Sequence, residues 1–427
     1  MDRAWIGRRG DGMVVDKDSK ISVPPDDLKY TLKRVWLTKE EENGYYNGFA
    51  NEGIWPLYHT AHTKPIFRKE NWEDYKKVNG KFAEVILSEI KGIYKPIIFI
   101  QDYHFALLPR MIKNARPDAT IAIFWHIPWP SSESFRICPW RKELLDGMLG
   151  ADLIAFHTQL HCNNFIDTVG KELEALINLE QFAIQKGNHL SFVKPFPISV
   201  PTDGAGKDGF NDTDKQELLK KLGIKTEYIG VGIDRLDYTK GIPVRLRAIE
   251  YFLKTNPAFC EHFTFVQVAP SSRGMIPQYQ LFAQQVQGEI DRINTKFSKG
   301  DWKPIIFLKK HHSHEEINKF YKIANICLVT SLHDGMNLVS KEFIWARNDE
   351  KGVLILSQFA GTSRELKDTL IVNPYNTEEV AENIHKALSM MQSEQTKRMK
   401  RLREVVNNYN VYRWSAELLK TMVNLEP

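Results

Sequence analysis

Cysteine is scarce in this chain of 427 residues. Cys138, Cys162, Cys260 and Cys327 are its four thiols, and no Cys-x-x-Cys pair occurs. That excludes a disulfide framework or a zinc ribbon and predicts a reducing, cytoplasmic setting. Long apolar runs are missing too, so no membrane span is expected. The opening MDRAWIGRRGDG is charged where a secretory signal would be apolar. No lysine or arginine block stands out, and the net charge of +5 is spread along the chain. Composition thus argues against nucleic-acid and membrane partners while leaving room for a local anion site. There is no internal repeat and no low-complexity tract, and no DxD-like acidic pair stands at a candidate site, since Asp16-Lys17-Asp18 and Asp212-Thr213-Asp214 lie elsewhere. The last absence predicts that no divalent metal is needed.

What is present is a series of short apolar runs: KPIIFIQDYH, TIAIFWHIPWP, DLIAFHT, YIGVGIDR, FTFVQVAP, PIIFLKKHH, NICLVTSLHDG, GVLILSQFAG and TLIVNP. Runs of this length rich in Val, Ile, Leu and Phe predict strands buried on both faces. Helical patterns such as NWEDYKKVNGKFAEVILSEIKG lie between them, so parallel, doubly wound α/β sheets are expected. At this length two domains are expected. The Pro-, Gly- and Asp-rich stretch 195–217 marks the boundary. We therefore expect two Rossmann-like domains facing a cleft, with residues 1–198 and 199–402, and a helical segment 403–427 packing back on the first domain. Ligands of such sheets bind beyond the carboxyl ends of the strands.

The polar residues there are consequently the candidates. GIDRLDYTKGIP sets Asp234, Arg235, Asp237 and Lys240 at one strand mouth, either neutralising one another or awaiting an anion. DGMN reads as a strand-to-helix junction, where the free N–H groups and the helix dipole suit an anion. The alternative there is an ordinary Asp-Gly turn with a satisfied cap. Glu342, one turn in, could bond ribose hydroxyls. In the first half, Asp102 and His126 end two strands and could face a sugar, although HIPWP could equally be a rigid turn whose His caps a carbonyl. Tyr46 and Trp55 lie in an aromatic cluster that is either a sugar platform or core. Arg273 follows another strand, and FAGTSREL is a turn of small residues. His311, His312 and His314 invite a metal reading, but the pattern gives them no carboxylate or cysteine partner. Together, cations with a helix N-terminus and an Asp/His pair with aromatics suit a sugar nucleotide whose diphosphate leaves as a second sugar attacks.

At this point the motifs EGIWPLYH, DYHFALLPR, FWHIPWPSSESFR, LLGADLIAFHTQ, RLDYTKGIPVR, APSSRG, LHDGMNLVSKEF, LILSQFAGTSREL and LIVNPYN carry a resemblance. In this order they resemble the trehalose-6-phosphate synthases, retaining glycosyltransferases of the two-Rossmann GT-B fold, over nearly the whole chain. The resemblance implies that Arg235 and Lys240, with backbone at Asn337, Leu338 and Val339, bind the donor diphosphate. Glu342 would hold the donor ribose, and Asp334 and His126 the donor glucose. Tyr46, Trp55, Asp102 and Arg273 would face the acceptor, with Arg273 at its phosphate. Asp102, His126, Arg235, Lys240 and Asp334 would form the catalytic set. Front-face attack needs no enzyme nucleophile, and the acceptor proton passes to the departing phosphate. No cofactor is implied.

The expected reaction moves glucose from UDP-, ADP- or GDP-glucose to glucose 6-phosphate, giving trehalose 6-phosphate. Two features depart from the family pattern. The chain opens after the usual N-terminal strand and glycine-pair loop, and Arg8 in WIGRRG stands where a Trp is usual. These keep two alternatives in view: glycerol 3-phosphate as acceptor, or a non-catalytic sugar-nucleotide-binding homologue. A homo-oligomer stays open.

Overall fold

The structure is a computed structural model describing residues 4–7, 20–23, 29–203 and 210–425. Arg8 lies outside the described residues. Two compact units emerge: Met1–Pro195 with Leu419–Pro427, and Phe196–Leu418.

The first unit carries a small sheet of β1 (Ala4–Gly7), β2 (Lys20–Val23) and β3 (Tyr30–Arg34), in the order β1-β3-β2. Its main sheet has six strands: β4 (Ile97–Gln101), β5 (Thr120–Phe124), β6 (Leu153–Phe156), β7 (Leu176–Asn178), β8 (Ala183–Lys186) and β9 (His189–Pro195), ordered β4-β5-β6-β9-β8-β7. Pairing is parallel from β4 through β9 and antiparallel from β9 to β7. The expectation of parallel strands throughout fails at this edge for a simple reason. Only Gly187 and Asn188 separate β8 from β9, and Gly187 has φ 59°. A crossover helix needs a dozen or more residues, whereas two suffice for a hairpin.

The 12-residue segment Asn43–Ile54 is π-helical, its end marked by the Trp55 N–H bonding to Ala50 O. It presses against the long helix Lys69–Glu89. A Cβ on Gly44 would come within 1.9 Å of Asp74 Oδ2, and one on Gly48 within 2.2 Å of Asn71 Nδ2. Glycine lets the two helices touch, and a wide i→i+5 turn of this kind often marks a functional segment.

In the second unit every strand pair is parallel: β10 (Tyr228–Ile233), β11 (Phe263–Val268), β12 (Ile305–Leu308), β13 (Ile326–Val329), β14 (Val353–Ser357) and β15 (Leu370–Val372). Their order is β12-β11-β10-β13-β14-β15. This is the dinucleotide-fold order 3-2-1-4-5-6, whose direction of winding reverses between β10 and β13. The apolar residues alternate between two cores, as the pleat requires. Val231, Val266, Val329 and Leu356 enter one core, while Phe263, Phe265, Leu328 and Ile355 enter the other. On that second face β10 offers Gly230 and Gly232, because Cβ atoms there would lie 2.7 and 2.8 Å from the Phe265 ring. The helix Ile242–Thr255 covers this face through Ala248, Ile249, Phe252 and Leu253.

Candidate active site

The reversal between β10 and β13 is where such a sheet binds ligands, and both strands end there in polar turns. The turns are locked together. The Leu332 N–H donates to Thr239 O at 2.7 Å. Gly241 has φ 66°, and a Cβ there would stand 2.2 Å from Thr330 O. Glycine is therefore required twice over, by conformation and by space. Across this contact Lys240 Nζ meets Asp334 Oδ2 at 2.5 Å. The same oxygen accepts from Asn337 Nδ2 at 3.1 Å and Ser331 Oγ at 3.3 Å. Lys240, 94 residues before Asp334, thus joins Asp334 and Asn337 in one cluster. Arg235 is exposed on the same turn as Lys240.

Asn337 caps the helix Leu338–Ala346 from φ 75°, a strained setting for a residue with a side chain, and its Oδ1 accepts from the Ser340 N–H at 3.4 Å. That satisfies the third N–H of the helix. Leu338 and Val339 supply the first two, which have no intrahelical acceptor. Glu342, in the next turn, accepts from the Tyr321 hydroxyl at 2.8 Å. FAGTSREL proves to be the close-packing element behind this turn: a Cβ on Gly361 would lie 2.0 Å from Gly335 O.

The two aspartates of the first turn have separate partners. Asp237 is fully buried, its Oδ1 accepting from the N–H and the hydroxyl of Thr239 at 3.0 and 2.9 Å. Its Oδ2 meets Arg273 Nη1 at 3.3 Å. Burial alone would raise its pKa, but Arg273, Lys240 and Arg235 outweigh that and hold it below the usual range. Asp234 pairs with Arg245 at 2.6 Å, yet burial still pulls its carboxyl upward against that guanidinium. Arg273 sits at φ 50° with its side chain 5% exposed, bonded to Asp237 and Tyr279. The residue expected at an acceptor phosphate is thus turned into its own unit.

In the first unit Asp102 follows β4 with φ 72° and ψ 171°, a region essentially reserved for glycine and costing about 1–3 kcal/mol. Backbone bonds hold it there. Its N–H donates to Phe124 O at 2.7 Å, and its Oδ1 accepts from the N–H groups of Tyr103 and His126 at 2.9 and 3.1 Å. The His126 ring places Nε2 at 2.7 Å from Gln101 Oε1. Burial lowers its pKa, with Asp102 opposing, so the neutral ring is favoured. Tyr46 is half-buried and stacks on His104 at 5.3 Å. Trp55 is only 5% exposed, 4.0 Å from the His59 ring and 5.9 Å from Tyr103, which favours the core reading for its ring. Asp102, His126, Tyr46 and Trp55 are linked through Tyr103 and His104.

Sequence reasoning passed over Gln101, Tyr279, Tyr321 and Arg245 as partners. Gln101 ends a legible strand and could have been read, but the other three reach the site only through the tertiary fold. Among the described residues no group of three or more His, Cys, Asp or Glu is placed to hold a metal ion. His312 does have a carboxylate neighbour, Glu316 at 3.4 Å, one helical turn on. No helix among the described residues is long and apolar enough to cross a membrane.

Comparison with known proteins agrees with this architecture. The α,α-trehalose-phosphate synthase [UDP-forming] of Candida albicans is 36% identical over 431 residues, covering 99% of this chain and 89% of the relative. The trehalose-6-phosphate synthase of Mycobacterium leprae is 36% identical, covering 98% of this chain and 86% of the relative. A solved E. coli structure with UDP-2-fluoro glucose bound superposes with a TM-score of 0.91 at 29% identity, covering 99% of this chain and 93% of the other. A UDP-forming α,α-trehalose-phosphate synthase of Burkholderia xenovorans in complex with glucose-6-phosphate gives 0.90 at 28% identity, covering 99% and 92%. The family model for glycosyltransferase family 20 matches residues 1–424, and the chain belongs to that family.

Proposed function

We propose that this protein transfers glucose, with retention, from UDP-glucose to glucose 6-phosphate and so makes trehalose 6-phosphate. The observation that carries the reading is the Lys240–Asp334–Asn337 cluster at the N-terminus of the helix Leu338–Ala346, where β10 and β13 diverge. It is a polar, cationic turn beside a helix N-terminus, as a diphosphate requires. Family membership and the donor and acceptor of the relatives support the same substrates.

In this reading the second unit holds the donor and the first holds the acceptor. Arg235 and Lys240 grip the diphosphate with the N–H groups of Leu338 and Val339, and Glu342 takes the ribose. Lys240 rests on Asp334 until the donor supplies a second anion. Asp334 and His126 hold the glucose hydroxyls, His126 as a neutral ring oriented by Gln101. Asp102 and Tyr46 meet the acceptor sugar while Trp55 stays in the core beneath them, and Arg273 reaches the acceptor phosphate by leaving Asp237.

The bond from glucose C1 to the phosphate oxygen breaks with its electron pair going to the phosphate. The acceptor oxygen bonds C1 on the same face, and its proton passes to the departing phosphate oxygen. The cations and the helix N-terminus stabilise the charge that builds there, and preorganised stabilisation of this kind is usually the main source of rate acceleration. They supply that charge without a divalent metal or other cofactor. A cytoplasmic setting fits the nucleotide-sugar and sugar-phosphate substrates.

The test is UDP release from UDP-glucose with each acceptor in turn. Release that requires glucose 6-phosphate is expected. Release only with glycerol 3-phosphate, or nucleotide binding with no turnover, would overturn the proposal.

A further inference from the structure

Arg245 is wholly enclosed in the second unit, and the transfer reaction gives it no direct part. It projects from the helix Ile242–Thr255. Its Nη1 donates to Asp234 Oδ2 at 2.6 Å and to Gln267 Oε1 at 2.9 Å, and its Nε donates to Thr330 Oγ1 at 2.9 Å. Nη2 reaches the carbonyl of Lys240 at 3.4 Å. These partners follow β10, lie in β11, follow β13 and close the turn that carries Arg235 and Lys240. Gln267 is itself fixed, its Nε2 donating to Gly232 O at 3.0 Å. The backbone makes room for the guanidinium: a Cβ on Gly232 would stand 2.5 Å from Arg245 Nη1.

Burying a guanidinium is costly, and an apolar residue of similar volume would often stabilise as well or better. What the guanidinium adds is a planar fork that fixes several acceptors in one geometry. We propose that Arg245 is a positioning residue for the donor. It pins the turn Asp234–Gly241 to the ends of three strands, so that Arg235 and Lys240 present their charges at a set place, and it never touches substrate. The inference rests on the reading of that turn as the diphosphate clamp.

The test pairs Arg245→Lys, which keeps the charge and loses the fork, with Thr330→Val, which removes one acceptor at nearly constant shape. For each folded variant, UDP affinity is measured by calorimetry, KM is measured for donor and acceptor separately, and a urea midpoint is recorded. The UDP Kd and the donor KM should each rise about tenfold, about 1.4 kcal/mol, with the acceptor KM unchanged. A lowered urea midpoint with UDP Kd and donor KM within about twofold of wild type would overturn the proposal, as would an equal rise in both KM values. If Arg245→Lys does not fold, Thr330→Val decides alone. Arg235→Ala separates the clamp from its positioning. If it leaves UDP binding intact, the clamp reading itself fails. If it weakens UDP binding while Thr330→Val does not, only the positioning role fails.

Discussion

At the scale of single residues, the site is built from side chains held by partners distant in sequence. Glu342 illustrates it. Its carboxylate accepts from the Tyr321 hydroxyl at 2.8 Å, and Tyr321 is itself 2% exposed and packed at 6.1 Å from the Phe343 ring. Removing that hydroxyl frees Glu342 with little change in packing. We predict that Tyr321→Phe raises the donor KM about three- to tenfold, about 0.7–1.4 kcal/mol, the net worth of one ordinary hydrogen bond. The acceptor KM should stay put, and steady-state kinetics with each substrate varied in turn will show whether it does. The types of residue at the strand mouths were legible because strand ends in such sheets are where ligands go. Their commitments were not. Nothing in the order Asp234, Arg235, Asp237, Lys240 says that the aspartates pair with Arg245 and Arg273, or that Lys240 meets Asp334. Nor does sequence reveal that Asp102 holds a backbone conformation suited to glycine. That is set by Phe124 O and by the N–H groups of Tyr103 and His126.

At the scale of elements, legibility followed the nature of the signal. Apolar runs such as FTFVQV and GVLILS announced β11 and β14 because both faces of those strands are covered. HLSFVKP, as β9, alternates between buried and partly exposed positions and reads weakly, since one face of that strand is only partly covered. The π-helical Asn43–Ile54 could not be read at all, because its wide turn depends on the glycine contacts with the helix Lys69–Glu89. The short helix Lys39–Glu42 before it is secured by a capping box: Glu41 Oε2 accepts from the Thr38 N–H at 2.9 Å, and Thr38 Oγ1 accepts from the Glu41 N–H at 3.2 Å. Glu41 is also paired with Lys81 at 2.6 Å and Lys77 at 3.0 Å, tying that helix to Lys69–Glu89. Burial would raise the Glu41 carboxyl, but these donors win and bring it from 4.5 down to about 2. A carboxyl depressed in the folded state contributes stability that is complete above the unfolded value and lost as pH falls through the folded one. Glu41→Gln should therefore cost about 1–3 kcal/mol at neutral pH. The gap to wild type should close as pH drops from 4.5 toward 2, which urea unfolding of both proteins across that range will measure.

At the scale of the whole molecule, the chain divides into its compact units at Pro195 and Phe196. The segment after that point is bound to the second unit at alternate carbonyls. Trp414 Nε1 donates to Phe196 O at 3.1 Å, Lys341 Nζ to Ile198 O at 2.9 Å, and the Val411 N–H to Val200 O at 3.2 Å. The Pro- and Gly-rich composition of 195–217 pointed to a boundary, but these anchors lie more than a hundred residues away and leave no local trace. The strand order of the second unit makes its β10–β13 reversal the natural seat of a nucleotide, and the central claim is that the donor's diphosphate leaves from that seat while its glucose keeps its anomeric configuration. Proton NMR of the product formed from UDP-glucose and glucose 6-phosphate tests this most directly. Two α-anomeric signals of a 1,1-linked disaccharide phosphate are expected, with one UDP formed for each disaccharide. A β-configured linkage, or free glucose released in place of a disaccharide, would contradict the claim.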